Sequence, residues 1–473
     1  MRFQHFFTLL SGLVECMFFA GVLFGWASLV FVLKNEKYFQ DLCPSPGNQS
    51  INATDSCSQQ DEQFSLIFTV AGLVNNFVTL PCGYIFDHFG TAVTRFIAIS
   101  IYTVATILIA LSNEDIAIVL FPALALLTTG GILLMITNMQ VGNLFGSHRS
   151  TVITLYNGAF DSSSVVFLIV KVLYQNGVSL RTTFLFITCC SVWHIARTLF
   201  LMPNTFFPYP LPEGYSYGLK CKKNNASKPT TISNGEEDLA IKTEEGQLSI
   251  NSTSLLETKD VSFISCVRSS LFWFHFIWLS VMQLRHYMFI ATLNPTLTRL
   301  SGGDPLTVSH YTNVFAVSQF CGILCAPWNG IIIDRFKGKY KDSTADLHSC
   351  VVSLAITATQ CMLFSISATL SILPAFYATF ILQVLNRSFL YGGNAAFLSI
   401  AFPNQHFGKL FGLVMSLSAV VLLLQYPAFY IIRTHLQSDP LYVDITLLIL
   451  GLLAFIHPIN VFRVCKKKAV SRE

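Results

Sequence analysis

Gly83-Tyr84-Ile85-Phe86-Asp87-His88-Phe89-Gly90 closes one long apolar run of this chain, and Gly330-Ile331-Ile332-Ile333-Asp334-Arg335-Phe336-Lys337-Gly338 closes another in its second half. Each string sets a glycine four residues before an aspartate. On a helix this spacing puts both on one face. The glycine admits a close neighbour, and the carboxylate at the membrane edge reaches an adjacent helix N-terminus or an arginine. Arg95 and Arg335 are the expected partners. One copy would say little, because glycine is common in membrane helices and aspartate at their ends. Two copies in corresponding places mark a duplication, so Gly83, Asp87, Arg95, Gly330, Asp334 and Arg335 are expected to form a gating latch on the cytoplasmic side. Duplicated halves about a central site are what alternating access requires.

Working outward from these strings, apolar runs lie at about residues 6–33, 64–86, 92–111, 116–141, 149–174, 182–202, 270–292, 308–333, 349–371, 374–401, 408–432 and 441–462. The composition supports that demand: 53% of the 473 residues are hydrophobic and 11% charged, against roughly a quarter charged in a soluble chain. Lipid leaves no partner for open backbone groups, and runs of about twenty residues fit helices rather than barrel strands. The expected fold is an all-α membrane protein with twelve transmembrane helices in two six-helix pseudo-symmetric halves. Residues 1–202 form the first bundle, with an outer loop at 34–63, and residues 270–462 form the second. A flexible cytoplasmic linker at 203–269 joins them, and a basic tail follows at 463–473. The first run is too long for a cleaved leader core and contains Glu15, so it reads as a retained span.

Short-loop charge sets the orientation. With the N-terminus inside, Arg2, Arg95, Arg149, Arg335, Lys337, Lys339, Lys341, Lys409, Arg463, Lys466, Lys467, Lys468 and Arg472 are cytoplasmic, while Lys34, Lys37, Arg181, Arg299 and Arg433 fall outside. Both termini are therefore expected in the cytoplasm. The first outer loop then faces an oxidising compartment, where glycans at Asn48 and Asn52 and a disulfide between Cys43 and Cys57 are expected.

A charge at a helix centre costs about 2.5 to 3.5 kcal/mol on insertion scales and is expected to face the bundle interior. Lys171 and Arg197 lie close enough to span ends to snorkel. Glu15, Asp161, Arg285 and Arg387 lie deeper and either pair to fix helix registry or line a cavity. In a cavity, guanidinium forks meet ring carbonyls and nitrogens, and carboxylates accept from ring N–H groups. Neutral polar residues lie nearby, among them Asn138, Asn157, Gln283, His286, Asn386 and Asn394. Gln283 points roughly 160° away from Arg285 by helical reckoning, so Arg285 is the expected ligand contact and Gln283 is expected to face another helix. Aromatic residues such as Phe24, Phe160, Tyr287 and Tyr391 could stack on a flat ring.

Metalloprotease, nucleotide-loop, dinucleotide and EF-hand patterns are missing from the sequence, and no nucleophile with a recognisable base emerges. An enzyme, a cofactor and a resident metal are not expected. The thirteen cysteines are scattered without metal-ligand spacing, and the basic residues form no aromatic-interleaved surface for nucleic acid.

Four further strings carry a resemblance: Phe24-Gly25-Trp26-Ala27-Ser28-Leu29-Val30-Phe31, Leu155-Tyr156-Asn157-Gly158-Ala159-Phe160-Asp161-Ser162-Ser163-Ser164, Arg387-Ser388-Phe389-Leu390-Tyr391 and Phe407-Gly408-Lys409-Leu410-Phe411-Gly412. Together they make the chain resemble the major facilitator superfamily. Within it, the similarity is to the branch of facilitative L-type amino acid carriers and equilibrative nucleobase carriers. The resemblance implies sodium-independent movement of purine bases such as adenine, guanine and hypoxanthine across the plasma membrane, with membrane lipid around it and no obligate protein partner. It also implies a ligand held between spans one, four, seven and ten. That places Glu15, Asn138, Arg285, Arg387 and Asn394 at the substrate, with Asp161 close by. The alternatives are a carrier of large neutral amino acids, and a non-transporting scaffold or regulator of fatty-acid flux.

Overall fold

The computed structural model describes residues 3–43, 58–212, 215–218, 262–302, 304–337, 345–370, 372–436 and 440–470. Asn48, Asn52 and Cys57 lie outside these, as do most of the linker and residues 471–473. Cys43 is disulfide-bonded.

The described chain is built of helices. Seven tracts are long and apolar enough to cross a membrane, and the bent pair Leu306–Phe320 and Gly322–Lys337 supplies an eighth. Two of the tracts double back on themselves: Leu66–Leu111 turns at Gly90, whose φ is +76°, and Ala117–Gln175 turns at Gly146, whose φ is +48°. Two more helices, Ser270–Leu300 and Ala375–Ala401, are 31 and 27 residues long. Buried Gln283, Arg285, His286, Gln383, Asn386 and Asn394 interrupt their apolar surface. The count reaches twelve crossings, numbered here as spans one to twelve.

Span one is not a continuous helix. Phe3–Glu15 runs into a wide turn at Cys16–Ala20 and a tight one at Val22–Gly25 before helix resumes at Trp26–Asn35. The irregular stretch lies directly on span five, where a Cβ on Gly21 would stand 2.3 Å from the Phe160 carbonyl oxygen. The Gly21 amide donates to Ser163 Oγ at 3.1 Å. Freed backbone groups are tolerated in the membrane where protein meets them in this way.

The two halves meet along two close helix crossings. Span two packs on span eleven, and a Cβ on Gly83 would lie 2.0 Å from the Gly408 carbonyl oxygen. Span eight packs on span five, and a Cβ on Gly330 would lie 2.3 Å from the Thr151 Cα. Small residues permit this approach where lipid supplies no hydrophobic drive for association.

The linker's first residues are more ordered than their polar continuation suggests. Thr91 and Ala92 donate their amides to the carbonyls of Thr205 and Asn204 at 2.7 and 3.1 Å. Phe207 and Tyr217 are buried. The physical reason is local composition, since this stretch is rich in aromatic residues and proline and buries ring surface against the bundle. At the other end of the second half, the last helix runs on to Val470, past the expected boundary at 462.

Gly83→Ala is expected to cost about 1–3 kcal/mol of seam stability by overpacking. A lower melting temperature in detergent, with faster labelling of a cysteine introduced beside Asp87, would report it.

Candidate functional site

The two aspartates of the repeated string each cap a helix of the opposite half. Asp87 Oδ1 and Oδ2 accept the amides of Gly408 and Lys409 at 3.0 and 2.7 Å, at the start of the span-eleven helix Phe407–Leu422. Asp334 accepts the amides of Ser150 and Thr151 at 3.3 and 2.9 Å and the Thr151 hydroxyl at 2.6 Å, at the start of the span-five helix Arg149–Ser162. The orphan N–H groups and positive end of a helix dipole suit a carboxylate. Span two holds eleven and span eight holds five, a reciprocal arrangement. The arginine partners are placed differently from expectation: Arg95 turns into its own bundle, and Arg335 is exposed with no ion-pair partner among the described residues.

Arg95 belongs to a sealed cluster around Glu15. Glu15 Oε1 lies 2.5 Å from Arg95 Nη2 and 2.7 Å from His194 Nδ1, and Oε2 accepts from Arg197 Nη1 at 2.6 Å and Asn138 Nδ2 at 2.7 Å. Glu15, Arg95 and Asn138 are 0% exposed and Arg197 2%. Arg95 Nε reaches Thr198 Oγ1, and Arg197 reaches Ser11 Oγ and the Thr8 carbonyl. Glu15 and Asn138, expected at the substrate, are consumed in joining spans one, three, four and six. Arg197 does not snorkel. Its position near a span end was the misleading signal, because Glu15 pulls it inward.

The second half does the same with other residues. Arg285 Nη1 donates to Asp444 at 2.6 Å and Nε to Ser365 at 3.2 Å, and its guanidinium lies over the Phe364 ring. Arg285 therefore faces spans nine and twelve, away from the seam. Asp444 escaped sequence reading because it stands only four residues into its helix, where a carboxylate reads as a loop-edge group. Asn394 Oδ1 pairs with His275 Nε2 at 2.8 Å, and His275 in turn contacts His457 at 3.1 Å.

What remains at the seam, among the described residues, is one ion pair between the halves. Asp161 Oδ1 of span five accepts from Arg387 Nε and Nη2 of span ten, both at 3.3 Å. The guanidinium has the Phe24 ring centroid 4.9 Å away and that of Tyr391 5.7 Å away. Asp161 Oδ2 has no partner. Unlike the pairs inside each bundle, this one is long and half-satisfied, and it keeps a carboxylate oxygen ready for a further donor.

Twelve crossings, two halves bound by reciprocal caps and a polar pair on their shared face define a membrane carrier of the major facilitator type. No family model matches the sequence. The chain is 53% identical to the equilibrative nucleobase transporter 1 of Bos taurus, over 98% of this chain and 97% of that protein. It is 28% identical to the human large neutral amino acids transporter small subunit 3, over 96% and 92% of the two chains. A bacterial homologue of the iron transporter ferroportin, solved in an outward-facing state, superposes with a TM-score of 0.54 at 13% identity, over 98% of this chain and 100% of that one. This protein belongs to the equilibrative nucleobase transporter family.

Glu15→Gln leaves Arg95 and Arg197 buried with too little counter-charge, and losing one member of a buried pair typically costs about 3–5 kcal/mol. The variant is expected to lose most folded protein, measured as monodisperse yield and melting temperature in detergent.

Proposed function

We propose that this protein is a sodium-independent facilitative carrier that moves purine nucleobases, adenine, guanine and hypoxanthine among them, across the plasma membrane by alternating access. Both termini lie in the cytoplasm, and the protein carries no cofactor and does no covalent chemistry. The observation that carries the reading is the Asp161–Arg387 pair, among the described residues the one ion pair bridging the halves near the middle of their spans. Its aromatic neighbours Phe24 and Tyr391 offer faces to a flat ring. Full-length kinship to a named nucleobase transporter supports the substrate class.

The geometry suggests how transport proceeds without an energy source. Asp87 and Asp334 hold the cytoplasmic end of the seam shut, and a cavity of about 350 Å3 lies at that same end, lined by Asp87 with Phe86, Arg149, Phe207, Tyr209 and Phe407. Opening that end gives up two helix caps, each worth about 0.5–2 kcal/mol. Closing the other end regains contacts, so the two states stay close in energy. A neutral base adds no charge to the paired Asp161 and Arg387, and no coupled ion is needed to carry it.

A zwitterionic amino acid is the competing cargo, since a carboxylate beside a guanidinium also matches an ammonium and a carboxylate. Uptake of labelled adenine and labelled leucine into proteoliposomes, with sodium absent and no pH gradient, separates the two. Adenine uptake that equilibrates without accumulating is expected. Leucine uptake alone would reject the assignment. Arg387→Ala is expected to reduce adenine transport by roughly 10- to 100-fold, from the ~1.5–3 kcal/mol of a hydrogen bond to a charged group, with surface abundance nearly unchanged. Loss of abundance with transport per molecule preserved would make the pair structural.

A further inference from the structure

We propose that Gln283 reads the edge of the transported base, choosing ligands that carry a donor and an acceptor side by side at the six-position of a purine. This rests on the purine-carrier reading above and assigns it a specificity residue.

Gln283 is 0% exposed, and neither its Oε1 nor its Nε2 has a hydrogen-bond partner. Among the described residues it is the one amide side chain with both ends buried and unmet. Other buried amides near it in the same half are satisfied. Asn386 joins His286 and the Thr357 carbonyl, Asn329 donates to the Phe389 carbonyl, and Gln383 accepts from Gln319. Leaving a buried polar group unmet is costly, and a protein that tolerates two on one side chain has kept them for something that arrives.

The direction of the side chain follows from its helix. Arg285, two residues on, turns to Asp444 and Ser365. Tyr287, one turn on from Gln283, reaches across the seam, where its hydroxyl accepts from Asn76 Nδ2 of span two at 3.5 Å. Gln283 and Tyr287 therefore share the stripe of span seven that faces the first half. Tyr391 links this stripe to the ion pair: its hydroxyl lies beside the Gln283 amide, and its ring centroid stands 5.7 Å from the Arg387 guanidinium. The helical reading that turned Arg285 to the ligand and Gln283 away is thus reversed.

The chemistry follows from the amide. Its N–H and C=O lie side by side, the arrangement that pairs with N6–H and N7 of adenine. Rotating the amide by half a turn exchanges donor and acceptor, so the same side chain meets N1–H and O6 of a 6-oxo purine. The Tyr391 hydroxyl beside it can donate or accept, so either orientation is open to the amide. Asp161 Oδ2, also unpartnered, accepts a ring N–H. A purine with nothing at the six-position leaves half of the amide unmet.

The test uses full-length protein in proteoliposomes, with adenine, hypoxanthine and unsubstituted purine as substrates or competitors. The wild type is expected to favour adenine and hypoxanthine over purine by about tenfold, from ~1–3 kcal/mol for a paired base contact. Gln283→Leu and the closer-shaped Gln283→Met are expected to raise KM for adenine and hypoxanthine about 10-fold or more and to erase the preference over purine. Maximal rate and melting temperature should hold, because the amide makes no hydrogen bond of good geometry in the protein and has only the Tyr391 hydroxyl beside it. Unchanged KM and ranking in the Met variant, or a fall in melting temperature with KM unchanged, would overturn the role of Gln283 while leaving purine transport intact. A wild type that moves no purine would remove the functional reading itself.

Discussion

A charge in hydrocarbon has to be matched, and much of this molecule's interior is arranged around that constraint. Glu15 alone in lipid would carry a desolvation cost of several kcal/mol. It is instead met by Arg95, Arg197, His194 and Asn138, which draws four spans of the first half to one point. Arg285 and Asp444 perform the equivalent task in the second half, tying span seven to span twelve. Each bundle is locked within itself by its own charges, so it can move as a body.

The contacts between the bundles are of another kind. Asp87 and Asp334 receive backbone amides, and Gly83 and Gly330 bring helices into near-backbone contact. Such contacts can be broken and remade without stranding a full charge in lipid, because they lie at the membrane edge where water can replace the partner. Strong buried pairs inside the halves and lighter caps between them make a rocking motion cheaper than a rearrangement within either half. Asp161 and Arg387 are the exception, a charged pair across the seam, and their 3.3 Å geometry with one carboxylate oxygen unpaired is the loosest of the buried pairs.

Three buried polar groups show how pairing and orientation divide the work. Arg285 and Gln283 lie on one helix, yet one is ion-paired within its own half and the other makes no hydrogen bond of good geometry. Asn394, on the same helix as Arg387, is bound to a histidine and faces away from solute. A residue's depth in the membrane therefore says that it must be satisfied. It does not say whether protein or cargo satisfies it.

By itself the sequence determined the class of fold. Apolar runs long enough for lipid compel helices, and the repeated strings around Asp87 and Asp334 revealed two matching halves, leaving open whether each aspartate meets a helix N-terminus or an arginine. It also marked Asp161 and Arg387 as charges too deep to be incidental. The destinations of the other charges were decided only in three dimensions. Arg95 looked like a partner for Asp87 because it is near in sequence, and Arg197 looked free to snorkel because it is near a span end. Both instead converge on Glu15, 80 and 182 positions away. Helical periodicity gives the angle between Gln283 and Arg285 but no absolute bearing, since that depends on which neighbouring helix supplies Asp444. Pairing between distant spans is a property of the packed bundle, and it leaves only a few polar groups unspent at the seam.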